Sequence, residues 1–206
     1  MEKYELTDET ITVNDRTLYR IKALKSFGDV AAGMVGGYIE TKDNLGQLGD
    51  AWVYDDAMVY GNAKVYGNAG VYSDARVFGN ARVYGNARVY GNARVRGDAM
   101  VFGNARVYGI ARVYGNARVH GDAMVFGNAV ISSPKHAVWF SSVGSENGTL
   151  TAYTTETGIE VTRGCFRGTL EQFEAAVSKR HGNNKCGKQY MALVEYIKLR
   201  FNGIEI

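Results

Sequence analysis

The sequence has few of the residues on which cross-linking and most catalysis depend. Its 206 residues include one proline, two cysteines and three histidines. Two cysteines are too few for the disulfide framework of a small secreted domain. No apolar run approaches the length that crosses a bilayer, and the polar residues 1–5 do not resemble a signal peptide. We therefore expect no membrane contact and a reducing, cytoplasmic setting.

An excess of charge of either sign is also lacking. The formal net charge is +3, with 6 basic and 9 acidic residues in residues 1–50, 9 and 5 in residues 51–134, and 9 and 7 in residues 135–206. The mildly basic middle falls far short of a dedicated nucleic-acid-binding protein, so a nucleic-acid partner is the weaker alternative to a protein partner. Glycine, at 26 residues, is abundant and indicates a turn repeated at fixed spacing.

A six-residue repeat runs from residue 51 to residue 134. In blocks of six the sequence reads AWVYDD, AMVYGN, AKVYGN, AGVYSD, ARVFGN, ARVYGN, ARVYGN, ARVRGD, AMVFGN, ARVYGI, ARVYGN, ARVHGD, AMVFGN, AVISSP. Ala fills the first position of all fourteen hexads, Val the third position of thirteen, and ten hexads end in Gly-Asn or Gly-Asp. On a strand, Ala and Val share one side and the residues between and after them share the other.

This pattern predicts a parallel β-solenoid. A corner every six residues leaves the strands too short for a hairpin sheet, whereas coiling lets Ala and Val fill a narrow interior while each strand pairs with the coils above and below. The repeat Ala-x-Val-x-Gly-Asn resembles the hexapeptide-repeat left-handed parallel β-helix, in which three hexads make one coil. That resemblance, which covers residues 51–134, implies left-handed coiling and between four and five coils.

The flanking regions differ from the repeat, so we expect a mainly β protein in three parts. Residues 1–50 read as an N-terminal β cap that leads into the solenoid, and residues 135–206 read as a small C-terminal α+β domain. Predicted elements of that domain are strands at Ala137–Val143, Thr149–Thr155 and Ile159–Phe166, a helix that begins at the capping box Thr169–Gln172 and ends near His181, and a second helix at Lys188–Phe201.

The combination of flanks and hexads carries a further resemblance. Leu18–Ile21 and Gly36–Glu40 before the hexads, with Gly164–Phe173 after them, resemble hexapeptide-repeat proteins of phages and prophages. Such proteins are often labelled polymer-forming or transferase-like. The resemblance implies a phage-encoded protein in the cytoplasm of a bacterial host or on a virion, and it implies no particular activity.

Catalysis is the alternative that the β-helix class raises. Its acyltransferases use a histidine near a subunit boundary as general base. Here His120 replaces an outward tyrosine with no acid placed to orient it, and no insertion interrupts the hexads to form an acyl-donor loop. Carbonic anhydrases on this helix need three solenoid histidines, and only His120 lies there. We expect no enzyme, with a degenerate acyltransferase as the alternative.

One set of residues has the chemistry of metal ligands. Cys165, His181 and Cys186, with His136 as a fourth, could bind zinc, but their spacing matches no standard motif. A free cysteine in a strand-like run is commonly just buried. We expect no metal and no cofactor.

Outward residues three hexads apart stack into columns on three faces. The aromatic columns are Tyr54, Tyr72, Tyr90, Tyr108 and Phe126 on the first face, Tyr60, Phe78, Arg96 and Tyr114 on the second, and Tyr66, Tyr84, Phe102 and His120 on the third. Such ladders stabilise a solenoid by themselves. They are also an interface chemistry, and we expect the first column to form the interface of a homo-oligomer, a trimer or a dimer.

Arginines accompany these columns and suggest a partner surface. On the second face they are Arg76, Arg94, Arg96 and Arg112, which we expect to lie in one column flanked by Phe78 and Tyr114. Arginines at strand spacing repel one another and favour an anionic partner, and Tyr and Arg are enriched at binding hot spots. We expect a non-catalytic binding or scaffold protein that presents this face to a protein partner, such as a host defence or virion component, or to itself.

Overall fold

The structure, a computed structural model, describes residues 2–204. Each hexad contributes one two-residue strand made of its second and third positions. These strands are β4 (Trp52–Val53), β5 (Met58–Val59), β6 (Lys64–Val65), β7 (Gly70–Val71), β8 (Arg76–Val77), β9 (Arg82–Val83), β10 (Arg88–Val89), β11 (Arg94–Val95), β12 (Met100–Val101), β13 (Arg106–Val107), β14 (Arg112–Val113), β15 (Arg118–Val119), β16 (Met124–Val125) and β17 (Val130–Ile131).

Every third strand pairs in parallel, which confirms the predicted solenoid with three hexads per coil. Strand β10 pairs with β7 on one side and β13 on the other, with Val89 opposite both Val71 and Val107. Three parallel sheets result, one for each face: β4-β7-β10-β13-β16 for the first, β5-β8-β11-β14-β17 for the second and β6-β9-β12-β15 for the third.

The interior contains the small side chains that the repeat predicts. The Ala at the first position and the Val or Ile at the third are fully buried in every hexad. Glycine makes the corners: Gly85 has φ +72°, and a Cβ there would lie 3.0 Å from the nitrogen of Gly103 in the next coil. Glycine suits a corner that is left-handed in backbone conformation and stacked this closely, because it has no Cβ.

An antiparallel cap precedes the solenoid. Strands β1 (Tyr4–Val13), β2 (Arg16–Ala23) and β3 (Val35–Ile39) form it, and β3 pairs in parallel with β5, so the cap continues the sheet of the second face. Lys3 closes the open core, because its Nζ donates to the carbonyl oxygen of Ala51 at 2.8 Å. A single turn of 3₁₀ helix, Lys42–Asn44, leads into the first coil.

The C-terminal domain covers the other end. After a 3₁₀ turn at Pro134–His136 its elements are β18 (Ala137–Val143), β19 (Gly148–Thr155), β20 (Gly158–Arg163), β21 (Phe166–Thr169), α1 (Leu170–His181) and α2 (Lys185–Phe201). Strand β19 meets the last coil: the Thr151 hydroxyl accepts from the Met124 N–H at 3.2 Å, and the Thr154 hydroxyl donates to the Val130 carbonyl oxygen. These side chains satisfy the backbone groups that a solenoid end otherwise leaves unpaired.

Two predicted elements of this domain differ from the structure. The single strand expected at Ile159–Phe166 is two strands, because Gly164 has φ +57° and turns the chain between β20 and β21. The second helix begins at Lys185 rather than Lys188, because the side chain of Asn184 accepts from the Gly187 N–H and caps an earlier start. The capping box at Thr169 is confirmed. Within residues 2–204, neither helix is long and apolar enough to span a bilayer.

Candidate binding surfaces of the solenoid

The third face carries an unbroken stack of rings. Centroids are 4.9 Å apart between Tyr66 and Tyr84, 4.9 Å between Tyr84 and Phe102, and 4.7 Å between Phe102 and His120. Trp139 of the C-terminal domain meets His120 edge-on at 4.3 Å. Burial, and then the charge of Arg118, lowers the pKa of His120. This histidine is therefore the last ring of a ladder, stacked on Phe102 and in T-shaped contact with Trp139.

The first face is interrupted, contrary to the predicted continuous column. Tyr54 stacks on Tyr72 at 4.3 Å, and Tyr90 stacks on Tyr108 at 4.6 Å, but the described residues include no stacked pair of Tyr72 with Tyr90. The cause is Gly70. The ring of Tyr72 leans back over that glycine so far that a Cβ at Gly70 would collide with it.

A groove of about 510 Å³ opens at this interruption. Its lining combines rings with both signs of charge: Tyr54, Tyr72, Tyr90, Arg88, Arg106, Asp29, Asp55 and Ser73. Burial raises the pKa of Tyr54 to about 12, with a further contribution from Tyr72. At the last residue of the same column, Phe126, the guanidinium of Arg167 from the C-terminal domain lies over the ring.

The second face presents three arginines in register. Arg94 lies opposite Arg76 on one side and Arg112 on the other. Among residues 2–204, neither Arg76 nor Arg94 has an ion-pair partner, whereas Arg112 pairs with Glu156 of the C-terminal domain. The prediction that Arg96 shares this column is wrong, because Arg96 is the fourth residue of its hexad and the other three arginines are second residues. Arg96 stands in the neighbouring aromatic column, with its guanidinium 4.7 Å from the ring centroid of Tyr114.

Part of the second face is covered by the N-terminal cap. Tyr60 is buried with Leu18 and Tyr38, and Phe78 packs against this cluster. Tyr60 and Phe78 also stack, with centroids 5.0 Å apart. The cap therefore covers part of the Phe78 side chain. Tyr114 stands at the other end of the same column, away from the cap.

An exposed isoleucine beside the arginines was not recognised from the sequence. Ile110 is 61% exposed and stands at the corner next to Arg94 and Arg112, where a cleft of about 390 Å³ also includes Glu156. The signal was present: the hexad ARVYGI has Ile where ten others have Asn or Asp after Gly. This corner therefore combines an exposed apolar side chain with two arginines, and arginine is among the residues enriched at binding hot spots.

Asparagine ladders at the corners were also missed. The side-chain amide of Asn68 donates to Asn86 at 3.1 Å, that of Asn86 to Asn104 at 3.1 Å, and that of Asn104 to Asp122 at 2.9 Å. A second ladder joins Asn62, Asn80 and Asp98. The recurring Asn therefore links successive coils as well as completing a turn.

The candidate metal ligands do not converge. Cys165 is exposed in the turn between β20 and β21, not buried in a strand as predicted, and Cys186 is half-buried in the first turn of α2. The ring of His181 packs on Tyr190, and His136 contacts Ser132 at the end of the solenoid. Within the described part of the chain no three His, Cys, Asp or Glu side chains come close enough to hold a metal ion.

The fold and these surfaces define a β-solenoid repeat protein. Residues 75–88, 87–101 and 111–125 match a family model described as the YdcK beta solenoid repeat. All three stretches fall inside the hexads. No curated protein matches the chain.

Proposed function

We propose that this β-solenoid repeat protein is a non-catalytic binding module whose second face meets an acidic protein partner. The observation that supports it is the column of Arg76, Arg94 and Arg112 on adjacent strands. Adjacent strands lie about 4.8 Å apart, and like charges directly opposite one another destabilise a sheet. An array with this cost favours carboxylates, which guanidinium groups bind in a bidentate manner.

Ile110 supplies the apolar part of this surface. It is exposed beside Arg94 and Arg112, and a partner that covers it would remove both the apolar side chain and the nearby charges from water. Contacts of this kind at the centre of an interface contribute most of its binding energy. The proposed contact surface is therefore Arg76, Arg94, Arg112, Ile110 and Tyr114, with Arg96 held against Tyr114.

The partner proposed here follows from the resemblance to phage and prophage proteins. We propose a bacterial defence protein or a virion component that the protein meets in the host cytoplasm. A degenerate acyltransferase is less well supported, because the His120 ring stacks on Phe102 and makes a T-shaped contact with Trp139. Calorimetry with acetyl-CoA is expected to show no binding, and micromolar affinity would favour the transferase.

The test reverses charges on one face and uses another face as the control. Arg76→Glu with Arg94→Glu changes the proposed surface and leaves the Arg112–Glu156 contact intact. Arg82→Glu with Arg118→Glu makes the same charge change at the same hexad position of the third face. Both pairs of side chains point outward, so both variants are expected to fold.

Binding partners are captured from host lysate with wild-type protein and both variants, at low and at high salt. We expect one acidic protein that the control retains and that the second-face variant binds about tenfold more weakly, with a smaller salt dependence. Equal capture by the two variants would contradict the proposal.

A further inference from the structure

Three departures from the hexapeptide repeat converge on the groove of the first face. In the thirteen hexads before the last, Gly70 is the only glycine at the second position, and Asp55 and Ser73 are the only fifth-position residues other than glycine. Asp55 and Ser73 line the groove, and Gly70 lies beneath the ring of Tyr72 that forms its wall. In the other hexads of this set the second position carries a long side chain and the fifth position is glycine, so the clustering of the three departures distinguishes this groove from the rest of the shaft.

The two corner residues carry a conformational cost. Asp55 has φ +52° and Ser73 has φ +58°, the left-handed region that the other corners reach with glycine. Sparsely populated backbone conformations of this kind concentrate at functional sites. Here the carboxylate of Asp55 accepts from the Ser73 N–H at 2.9 Å, which fixes one corner above the other. Two polar side chains are thereby held at the edge of the groove.

The lean of Tyr72 leaves a ring position empty. In the ladders of this protein, stacked centroids are 4.3 to 5.0 Å apart, and Tyr90 has such a partner in Tyr108 on one face. Its other face points to the position from which Tyr72 is displaced. A planar ring placed there would continue the stack, and every nucleobase has a π face that can stack on an aromatic side chain. The volume of about 510 Å³ is in the range of small-molecule sites.

The charges at the groove suit an anion. Arg88 and Arg106 lie opposite one another on adjacent strands, and neither has an ion-pair partner among residues 2–204. Two guanidinium groups side by side match the oxygens of a phosphate. Asp29 and Asp55 line the same groove and accept hydrogen bonds from hydroxyl or amino groups.

We infer that this groove binds a nucleoside monophosphate. The base stacks on the open face of Tyr90, the phosphate lies between Arg88 and Arg106, and Asp29 and Asp55 accept hydrogen bonds from sugar hydroxyls or exocyclic amino groups. The site lies on the first face, so it is independent of the protein partner proposed for the second face.

Calorimetry with the four ribonucleoside 5′-monophosphates, adenosine and inorganic phosphate tests this chemistry. We expect at least one nucleotide to bind about tenfold more tightly than either fragment, because stacking and charge pairing act together. Absence of nucleotide binding overturns the inference, as does inorganic phosphate binding equally well. A single-stranded oligonucleotide that binds more tightly than every monomer also overturns it, in favour of a nucleic-acid surface.

Gly70→Arg provides the decisive variant because it restores the sequence ARVY of the neighbouring hexads. The new side chain displaces the Tyr72 ring from its place over residue 70 and returns it to the ladder beside Tyr90. We expect nucleotide binding to fall at least about tenfold while thermal unfolding shows that the variant remains folded, since Arg occupies the second position of the neighbouring hexads. Met100→Arg, the same change toward the repeat on the third face, is the control and retains binding.

Arg88→Gln is the second variant, and it removes a charge from an exposed side chain. It is expected to weaken binding of the nucleotide and to leave the affinity for the nucleoside unchanged. Full nucleotide binding by Gly70→Arg, or equal loss of nucleotide and nucleoside binding in Arg88→Gln, would refute the assigned geometry.

Discussion

The guanidinium of Arg167 lies over the ring of Phe126, 4.9 Å from its centroid. The same arginine donates from Nε to Glu160 at 2.6 Å, and Glu160 accepts from the Tyr153 hydroxyl at 2.7 Å. Burial, with the carboxylate of Glu160 beside it, raises the pKa of Tyr153. This chain of contacts joins the C-terminal domain to the last coil of the solenoid.

Removing Arg167 is expected to weaken that junction. Arg167→Ala deletes the contact with Phe126 and both hydrogen bonds from Arg167 to Glu160. We expect a loss of about 1 kcal/mol, since cation–π and exposed ion pairs are individually modest. Thermal unfolding measures it. Lys179→Ala, which removes an exposed base of α1, is the control, and an equal change in both variants would show that the junction adds nothing.

The narrow core is expected to reject a charge. Val83 is fully buried in β9, and Arg82 beside it is exposed. Val83→Asp buries an unpaired carboxylate and is expected to lower the free energy of unfolding by about 3 kcal/mol or more. Arg82→Asp introduces the same side chain one residue away, facing water. Denaturant unfolding compares the inward and outward sides of β9. Similar midpoints for the two variants would contradict the burial of Val83.

The asparagine ladders are expected to contribute measurably to stability. Asn86→Ala removes two side-chain hydrogen bonds, to Asn68 and to Asn104. At these exposed corners a loss of about 0.5–1.5 kcal/mol is expected. Asn116→Ala changes the same hexad position where the described residues show no ladder bond, so it is the matched control. If the free energy of unfolding from denaturant titration falls equally in both variants, the ladder hydrogen bonds contribute nothing to stability.

Stability is expected to rise with pH through the titration of Lys3. Burial lowers the pKa of Lys3 from its ordinary value of 10.5 to about 8. Between these values the unfolded chain binds more protons than the folded one, so the free energy of unfolding increases with pH. The free energy of unfolding of wild type minus that of Lys3→Met should therefore increase from about pH 8 to about pH 10. Lys22→Met, at an exposed lysine of the same cap, is the control, and an equal pH dependence in both variants would contradict the role of Lys3.

Self-association through the first face stays a prediction. Phe126 is covered by Arg167, so Tyr108 is the ring we expect at the centre of a dimer or trimer interface. Sedimentation velocity at micromolar concentration measures the assembly. Tyr108→Glu should dissociate it, whereas Tyr84→Glu on the third face should not. A wild-type protein that sediments as a strict monomer would contradict this prediction, and stacking within the chain would then be the role of the first-face rings.

Local chemistry made much of the architecture predictable. The two-residue spacing of Ala87 and Val89 already places both inside, and a glycine such as Gly85 already requires a corner. The capping box at Thr169 likewise needs only residues three apart. The turn at Gly164 was missed because a strand-like run contains one turn residue among many that favour extended structure.

The candidate surfaces were less predictable because they depend on residues that the repeat does not bring together. Stacking every third hexad correctly placed Arg76, Arg94 and Arg112 in one column, but the pairing of Arg112 with Glu156 requires the C-terminal domain to be docked. Ile110 was visible in the sequence as an odd hexad, and only its exposed position beside Arg94 makes it part of a surface.

The sequence by itself determined the coil, because period, interior and corner are all set by residues within six positions of one another. Only the tertiary structure decided which rings stack. The column of the first face contains five aromatic residues in sequence, yet it is broken where Tyr72 leans over Gly70. The direction of a side chain depends on the space that its neighbours leave, and that space exists only after the coils have packed.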